Sequence, residues 1–356
     1  MSLNKENLLK DYFTYTGIIH IHSTFSDGTR PIPEIAQIAN ELGDIHFILI
    51  TDHNTLQGKR DGFEGWYGNV LVGVGSEIND RDDRNHYLAF DIDREFGPEN
   101  TAEEYVNGVD ALGGIGFIAH PDESRAHIRK YPPYPWTLWD SDRFHGIEIW
   151  NQMSEWMEGL THLNKFWRIL HPRRSIVRPK EQTLQRWDAL NLKRRVVGIG
   201  GVDAHGFLHR LFGGFAIRVF RYKVSFRTIR THILSPARLT PKTDYRVALK
   251  EIYAALRAGH CYISHAYLGS AVNFSFWAKN SIGIAAMGDS LPFRNGTELV
   301  VQLPQKARVT LVRNGQTIAR KKGDELYFPI SEAGIYRVEI SIDNRPWIYS
   351  NHIRLL

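Results

Sequence analysis

Nine side chains of the kinds that bind metal ions follow or flank short apolar runs in the first 205 residues of the chain. Histidine and carboxylate side chains are common metal ligands, although any one of them usually has another role. Their repeated position beside apolar runs indicates one shared site, because parallel β/α proteins gather the carboxyl ends of their strands at one face. The sequence therefore predicts two or three divalent ions (Zn, Mn or Fe) bound by His20, His22, Asp27, His53, Glu77, His86, His120, Asp203 and His205.

Two pairs of these ligands have the spacing of side chains that share one face of a strand. His20 and His22 are two residues apart, as are Asp203 and His205, and side chains at i and i+2 point the same way. Asp52 and His53 are adjacent and would point to opposite sides. We therefore expect His53 to bind metal and Asp52 to support catalysis, and we expect His205 to be both a ligand and a catalytic residue.

Two further residues are candidates for binding a substrate. Arg30 follows Asp27 by three residues and has the charge to hold a phosphate group, but a loop arginine is more often a partner in a surface salt bridge. Asn151 follows a predicted strand at the edge where the ligands gather. It is predicted either to face the substrate or to cap the next helix.

The elements that must position these residues alternate between strands and helices up to about residue 205. Pro31 and Pro33 are typical of the start of a helix that runs to Leu42, and Thr101 to Glu104 form a capping box for another. A further helix is predicted over 247–258. The predicted strands are 18–21, 47–50, 70–75, 86–90, 115–119, 146–150 and 196–200.

The sequence pattern changes after about residue 272, where closely spaced strand patterns replace the alternation of strands and helices. Asn314-Gly315 separates two of them and suits a type I′ hairpin turn. The sequence predicts a metallohydrolase domain over 1–270, with a helical insertion at about 121–190, and a small C-terminal β-sandwich domain over 271–356. The tryptophans of the insertion are predicted to pack in the core or, alternatively, to line an apolar substrate cleft.

Composition limits the classes of partner. The 44 Lys and Arg residues exceed the 39 Asp and Glu residues by only five, so the charge is weak evidence about partners. We expect a small-molecule ester substrate, and nucleic acid is unlikely but not excluded. The single cysteine, Cys261, rules out an intramolecular disulfide. The sequence has neither a secretory signal pattern nor an apolar run long enough to span a bilayer, so we expect a cytoplasmic protein with no membrane partner. The oligomeric state is left open.

Four motifs in order resemble those of the polymerase and histidinol phosphatase (PHP) superfamily, and within it the CehA/McbA-like metallohydrolases. HIHSTFSDG at 20–28 is similar to the first motif, TDHN at 51–54 to the second, IAHP at 118–121 to the third and GVDAH at 201–205 to the fourth. GSEI at 75–78 and His86 lie where the family has a bridging glutamate and a further histidine. PWIYSN at 346–351 is similar to the tail of CehA/McbA-like proteins.

This resemblance implies a distorted (β/α)7 barrel, a TIM-like fold, with a trinuclear metal centre. It implies His20, His22, Glu77 and Asp203 on one ion, Glu77, His86 and His120 on a second, and Asp27, His53 and His205 on a third. The expected function is a phosphoesterase in which a metal-bridging hydroxide attacks the ester. Hydrolysis of a carboxylic or carbamic ester on the same metals, and a catalytically silent PHP binding module, are the alternatives.

Overall fold

The computed structural model of the protein describes residues 12–125, 132–210 and 216–356, so that 126–131 of the predicted insertion lie outside the described residues. Its strands are β1 (Phe13–Ile21), β2 (Phe47–Ile50), β3 (Gly65–Tyr67), β4 (Val70–Val74), β5 (Ser76–Ile78), β6 (Tyr87–Phe90), β7 (Ile115–Ile118), β8 (Gly146–Asn151), β9 (Val197–Gly201), β10 (Leu208–Arg210), β11 (Ala216–Arg218), β12 (Ile229–Ser235), β13 (Cys261–His265), β14 (Ser275–Lys279), β15 (Ile284–Ala286), β16 (Ser290–Leu291), β17 (Glu298–Arg313), β18 (Gln316–Pro329), β19 (Gly334–Ile342), β20 (Arg345–Ser350) and β21 (Ile353–Leu355). The helices are α1 (Ile32–Leu42), α2 (Gln57–Arg60), α3 (Ala102–Ala111), α4 (Gln152–Glu158), α5 (Lys165–Leu170), α6 (Glu181–Lys193), α7 (Tyr222–Ser225) and α8 (Tyr245–Ala258), with a 3₁₀ turn at Ala266–Leu268.

Local signals in the sequence predict α1, α3 and α8 to within about two residues. Gly43 ends α1 in the left-handed conformation, and Gly259 ends α8 in the same way. The capping box of α3 is present, since Thr101 and Glu104 satisfy each other's backbone N–H groups. Within the described parts of the chain, we find no helix whose length and apolar character would let it cross a membrane.

Most strands fall into two sheets. The larger has the order β15-β14-β17-β19-β20-β13-β12-β1-β2-β4-β3, with β16, β18 and β21 attached beside this path. The second has the order β5-β6-β7-β8-β9. Strands β1, β2 and β4 are parallel neighbours, whereas β6 is antiparallel to both β5 and β7.

The mixed α/β class is confirmed, but the described strands do not close into one barrel. Short parallel bridges join the two sheets where their edges meet, between Ile21 and Ala204 and between His53 and Glu77. Backbone N–H of Val202 also donates to the carbonyl of Ile19 at 3.0 Å. The sheets thus approach each other at the ends of β1 and β9, and the (β/α)7 barrel stays a prediction.

The C-terminal strands continue the larger sheet. Strand β20 pairs with β13, and β17 and β18 form the hairpin predicted at Asn314-Gly315, where both turn residues have positive φ. Their buried side chains form a hydrophobic cluster that also contains Leu234 and Tyr262 from β12 and β13. The division into two domains at residue 270 stays a prediction, and the sheet itself runs across it.

Candidate metal centre

The predicted ligands meet at one end of the strands. His20 and Asp203 lie at the ends of β1 and β9, while His53 and His120 follow β2 and β7. His86 precedes β6, and because β6 is antiparallel to its neighbours, its first residues lie at the same end as the last residues of β7. One face therefore collects ligands from both sheets.

Glu77 on β5 occupies the middle of the cluster. Its Oε2 atom lies 3.1 Å from Nε2 of His20 and 3.1 Å from Nε2 of His22. Its Oε1 atom lies 2.7 Å from Nδ1 of His86 and 3.1 Å from Nε2 of His120. One buried carboxylate thus faces two pairs of imidazoles, which is the arrangement of a bridging ligand.

Asp203 and Asp27 extend the cluster on either side of His22. Asp203 Oδ1 lies 3.5 Å from Nε2 of His20 and 3.4 Å from Nε2 of His22. Asp27 Oδ1 lies 3.1 Å from Nε2 of His205 and 3.8 Å from Nε2 of His53. Asp27 Oδ1 also lies 3.6 Å from Nδ1 of His22, and this contact joins all nine predicted ligands into one continuous cluster.

The donor atoms fit metal ions better than a network of hydrogen bonds. Nε2 of His20 and Nε2 of His22 are buried and have no hydrogen-bond partner, although a carboxylate oxygen lies 3.1 Å from each. Two ligands that share an ion at roughly 2.0–2.2 Å are themselves about 2.9–3.5 Å apart. The spacing of His20, His22, Glu77 and Asp203 is in this range, and four groups of donor atoms in the cluster are compact enough for a cation.

The backbone at three ligands departs from strand geometry. His20 has φ 69°, Asp203 has φ 53° and His120 has φ 25°. The pairing of β1 with β2 also shifts register between Ile19 and Ile21. His20 and His22 face the same carboxylate, and the bulge and the end of the strand orient them, so alternation along a regular strand does not account for their placement. Such positive φ values cost about 1–2 kcal/mol each and are typical of functional sites.

Glu148 supports the cluster, although it is not among the predicted site residues. Its Oε1 accepts a hydrogen bond from Nδ1 of His20 at 3.0 Å, and its Oε2 accepts one from the backbone N–H of His120 at 2.9 Å. A β-carbon at Gly201 would lie 1.9 Å from Oε1, so only glycine leaves room for this carboxylate. The available signal was a charged residue inside the apolar run 146–150, since a buried charge requires partners.

Replacing Glu148 with glutamine is expected to lower metal affinity and turnover about 10- to 100-fold while the chain stays folded. Glutamine has the same size but only one oxygen, so either Nδ1 of His20 or the N–H of His120 would face an amide N–H. The measurements are metal content after dialysis and steady-state turnover, with the exposed Glu103→Gln as control. Unchanged values in the Glu148 variant would contradict the orienting role.

Asp52 lies beside the cluster and holds the loop that follows β1. Its Oδ1 accepts hydrogen bonds from the N–H of Ser23 at 2.7 Å and from Oγ of Ser26 at 2.6 Å, and its Oδ2 accepts one from Oγ of Ser23 at 2.6 Å. The carboxylate therefore positions the segment that carries His22 and Asp27. This geometry favours the supporting role over direct proton transfer.

The other predicted catalytic and substrate-binding residues have different partners. Nδ1 of His205 lies 3.0 Å from the backbone oxygen of Asp203, which leaves Nε2 for a ligand role. Arg30 is exposed and pairs with Glu34 on α1, so it takes the surface role. Asn151 caps α4 through the N–H of Ser154 and donates to Oε2 of Glu148 at 2.9 Å, so it takes the capping role.

Burial and neighbouring carboxylates shift the pKa values of the ligands in opposite directions. Burial alone would lower the pKa of His22, but Asp203 and Glu77 raise it to about 9. Burial likewise opposes the charge on His86, and Glu77 raises its pKa to about 10. In His53 burial is not offset, and the pKa falls to about 4. The surrounding histidines hold the pKa values of Glu77 and Asp203 well below their ordinary range, against the effect of burial.

Metal loading near neutral pH is expected to release protons. The metal-free folded chain holds protons on His22 and His86 below their pKa values of about 9 and about 10, and a metal can bind an imidazole nitrogen only after its proton has left. Metal affinity should therefore fall as the pH falls, by about 100-fold per pH unit if two protons are displaced. Competition with a chelator near pH 7 and near pH 8 measures the metal affinity, and protein that has already been loaded with metal serves as the blank. Equal affinity at the two pH values would contradict it.

The centre opens to solvent on one side. The side chains of Asp27 and His53 are 50 % and 28 % exposed, whereas the other seven ligands are buried. Tyr134 stacks on His86 with ring centroids 4.8 Å apart, and Phe207 stacks on His205 at 4.6 Å. A substrate would therefore enter beside Asp27 and His53.

The tryptophans predicted as a possible cleft lining mostly take the core role. Trp136, Trp150 and Trp156 are buried in the hydrophobic cluster beneath the centre. Trp139 is partly buried against the same cluster. Trp167 is the exception, since half of its surface is exposed.

Neither a protein-family model nor a curated protein matches the chain, but several solved structures do, and two of them are described here. One is a two-domain protein from Bacteroides vulgatus that contains a predicted PHP-like metal-dependent phosphoesterase; it is 15 % identical, with a TM-score of 0.44 and 96 % of each chain covered. The other is a candidate metal-dependent phosphoesterase from Bifidobacterium adolescentis, 15 % identical with a TM-score of 0.31, and the match covers 58 % of this chain and 93 % of that chain. At such low scores, neither similarity adds to the argument about this chain.

Proposed function

We propose that the protein is a metal-dependent phosphoesterase with two or three divalent ions in the cluster around Glu77. One observation carries the proposal: the buried Nε2 atoms of His20 and His22 lack hydrogen-bond partners and lie 3.1 Å from the same oxygen of Glu77. Leaving such atoms without a partner costs free energy unless a ligand satisfies them. A cation satisfies both nitrogens and the carboxylate at once.

Bound divalent ions would supply a Lewis acid and a hydrolytic nucleophile near neutral pH. The chain's own contribution is to hold the ion sites side by side, because Glu77 offers one oxygen to His20 and His22 and the other to His86 and His120. Several positive charges within a few ångströms suit a substrate whose own oxygens are negative. This favours a phosphate ester over an uncharged carboxylic or carbamic ester.

The buried residues around the cluster orient the ligands and exclude water from all but one side. Glu148 accepts a hydrogen bond from Nδ1 of His20, and the backbone carbonyl of Asp203 accepts one from Nδ1 of His205. These bonds fix the tautomer of each ring and leave its Nε2 available to bind an ion. The rings of Tyr134 and Phe207 cover the outer faces of His86 and His205. A substrate is thereby restricted to the opening beside Asp27 and His53.

The test is a side-by-side assay of metal-loaded protein on an aryl phosphate monoester, a phosphate diester, an aryl carboxylic ester and an aryl carbamate. Turnover of phosphates in excess of the carbonyl esters supports the proposal. Turnover confined to the carbonyl esters would contradict the proposed phosphate ester substrate but would still be consistent with a metal-dependent hydrolase. Metal binding without turnover of any substrate would favour a binding module.

A further inference from the structure

The connection between α4 and α6 exposes large apolar side chains to solvent. Leu163 is 98 % exposed, Leu170 75 % and Phe166 64 %, and Trp167 and Val177 are half exposed. We call these five residues the apolar patch. Single exposed apolar residues need no explanation, but a concentration of them on one segment is typical of an interaction site.

The same segment is strongly basic. Residues 159–180 contain six Lys or Arg residues and neither Asp nor Glu. Three of the six have partners within the protein, since Arg168 donates to the carbonyl of Trp156, Arg174 donates to Oη of Tyr267 and Lys180 pairs with Glu158. The other three and the neighbouring Arg221 form no salt bridge within the described part of the chain: Lys165, Arg173, Arg178 and Arg221.

Exposed apolar and basic side chains on one segment match the surface of an anionic lipid bilayer. Apolar side chains enter the boundary of the acyl chains while Lys and Arg contact the headgroups, at about 1 kcal/mol for each basic residue near the surface. Nucleic acid would account for the arginines and for Phe166 and Trp167, but the aliphatic Leu163 and Leu170 offer no ring for a base to stack on. The absence of a spanning segment led the sequence analysis to predict no membrane partner, but docking on a surface requires none.

The patch lies at the same end of the strands as the metal centre. Asn151, the last residue of β8, caps the start of α4, and Trp156 of this helix packs against Phe220 with ring centroids 4.8 Å apart. The N–H of the adjoining Val219 donates to the carbonyl of Phe207, whose ring stacks on His205. A cavity of about 520 Å³ between the α5 segment and 219–224 is lined by apolar side chains together with Arg173, Arg174 and Arg221.

We infer that this surface docks on anionic membranes and that the esters which reach the metal centre are those of phospholipid headgroups. Docking stands on the patch alone. The choice of substrate rests on the proposed phosphoesterase function. The two parts therefore need separate experiments.

Docking is tested by sedimentation of the metal-free full-length chain with vesicles of phosphatidylcholine, with and without phosphatidylserine. We expect binding only to the anionic vesicles, weakened by salt. Leu163→Ser with Leu170→Ser should weaken it about 10-fold or more, given the free energy of burying a leucine. Leu112→Ser with Leu192→Ser, at exposed positions outside the patch, is the matched control and should bind as the wild type does. The inference would be overturned if the protein does not bind the anionic vesicles. It would also be overturned if the protein binds single-stranded nucleic acid instead, or if it self-associates and the patch variant abolishes that self-association.

The substrate class is tested with phosphatidic acid and phosphatidylglycerol in vesicles, compared with soluble aryl phosphates. We expect the ratio of lipid to aryl phosphate turnover to fall about 10-fold in the Leu163/Leu170 variant and to stay unchanged in the Leu112/Leu192 variant. Turnover of aryl phosphates without turnover of either lipid would overturn this inference and leave the proposed function in place. Failure on all phosphate esters would instead overturn the proposed function.

Discussion

Replacing His20 and His22 together with alanine is expected to reduce hydrolysis at least about a thousandfold and to remove bound metal, while the chain stays folded. Both imidazoles face Oε2 of Glu77 and Oδ1 of Asp203, so the variant loses half of the donors around that point. The loss should not unfold the protein, because the two rings face a polar cluster. Glu77 and Asp203 can take up protons when their partners are gone, which avoids leaving two buried charges.

Metal content, steady-state turnover and circular dichroism measured on the same preparations separate these effects. The exposed His162→Ala provides a matched control, since it removes an imidazole outside the cluster. A His20/His22 variant that retains both its metal and its turnover would contradict the metal centre. One that loses its metal but still hydrolyses the substrate would place the reaction elsewhere in the molecule.

The positions of these ligands could be predicted because the strands that carry them are short, apolar and buried. Phe47–Ile50 is a strand with the predicted bounds, β4 and β7 differ from the prediction by one residue at one end, and β9 differs by one residue at each end. In each case a short run of Val, Ile, Leu or Phe, interrupted only by glycine, marks the strand, and a polar ligand follows it closely. Residue type and local spacing therefore sufficed to bring nine side chains to one place.

Other parts of the centre depend on contacts between distant residues, and local patterns do not encode them. Glu148 supports His20 across 128 residues of sequence, and the left-handed conformation of His20 depends on a bulge between two strands. The antiparallel direction of β6 was likewise not predicted, although it explains why His86 precedes its strand instead of following it. Strands β13 and β20 pair although about 90 residues separate them in the sequence, so the local sequence of neither strand predicts the continuous sheet.

The largest expected effect on stability concerns a charged pair that links α6 to the C-terminal strands. Nε and Nη2 of Arg337 each donate to one oxygen of Asp188 at 2.7 Å, and both side chains are buried. His352 donates to the same carboxylate from Nε2 at 2.8 Å. Burial would raise the pKa of Asp188, but Arg337 and His352 lower it to about 2.

Replacing Arg337 with methionine is expected to lower the free energy of unfolding by about 3–5 kcal/mol, because Asp188 then stays buried without its cation. Urea denaturation at neutral pH measures the change. Arg313→Met is the matched control: Arg313 pairs with the exposed Glu332, and such a surface pair contributes about 1 kcal/mol at most. Equal losses in the two variants would contradict the assignment.

A second substitution separates the lost attraction from the charge that is left behind. Asp188→Asn in the Arg337→Met background removes the uncompensated charge and keeps an oxygen for His352, so it should restore part of the lost stability.

The wild type should also lose stability in acid. The folded pKa of Asp188 lies below its ordinary value of about 3.9, so its contribution to stability is complete above that pH and disappears as the pH falls towards 2. His352 acts in the same direction at higher pH, since burial lowers its pKa to about 4 and the unfolded chain takes up that proton first. The double variant should therefore keep the His352 contribution between about pH 6.5 and 4. Below that range it should lose stability less steeply than the wild type, because Asp188 no longer takes up a proton there while other buried carboxylates, such as Glu77 and Asp203, still do.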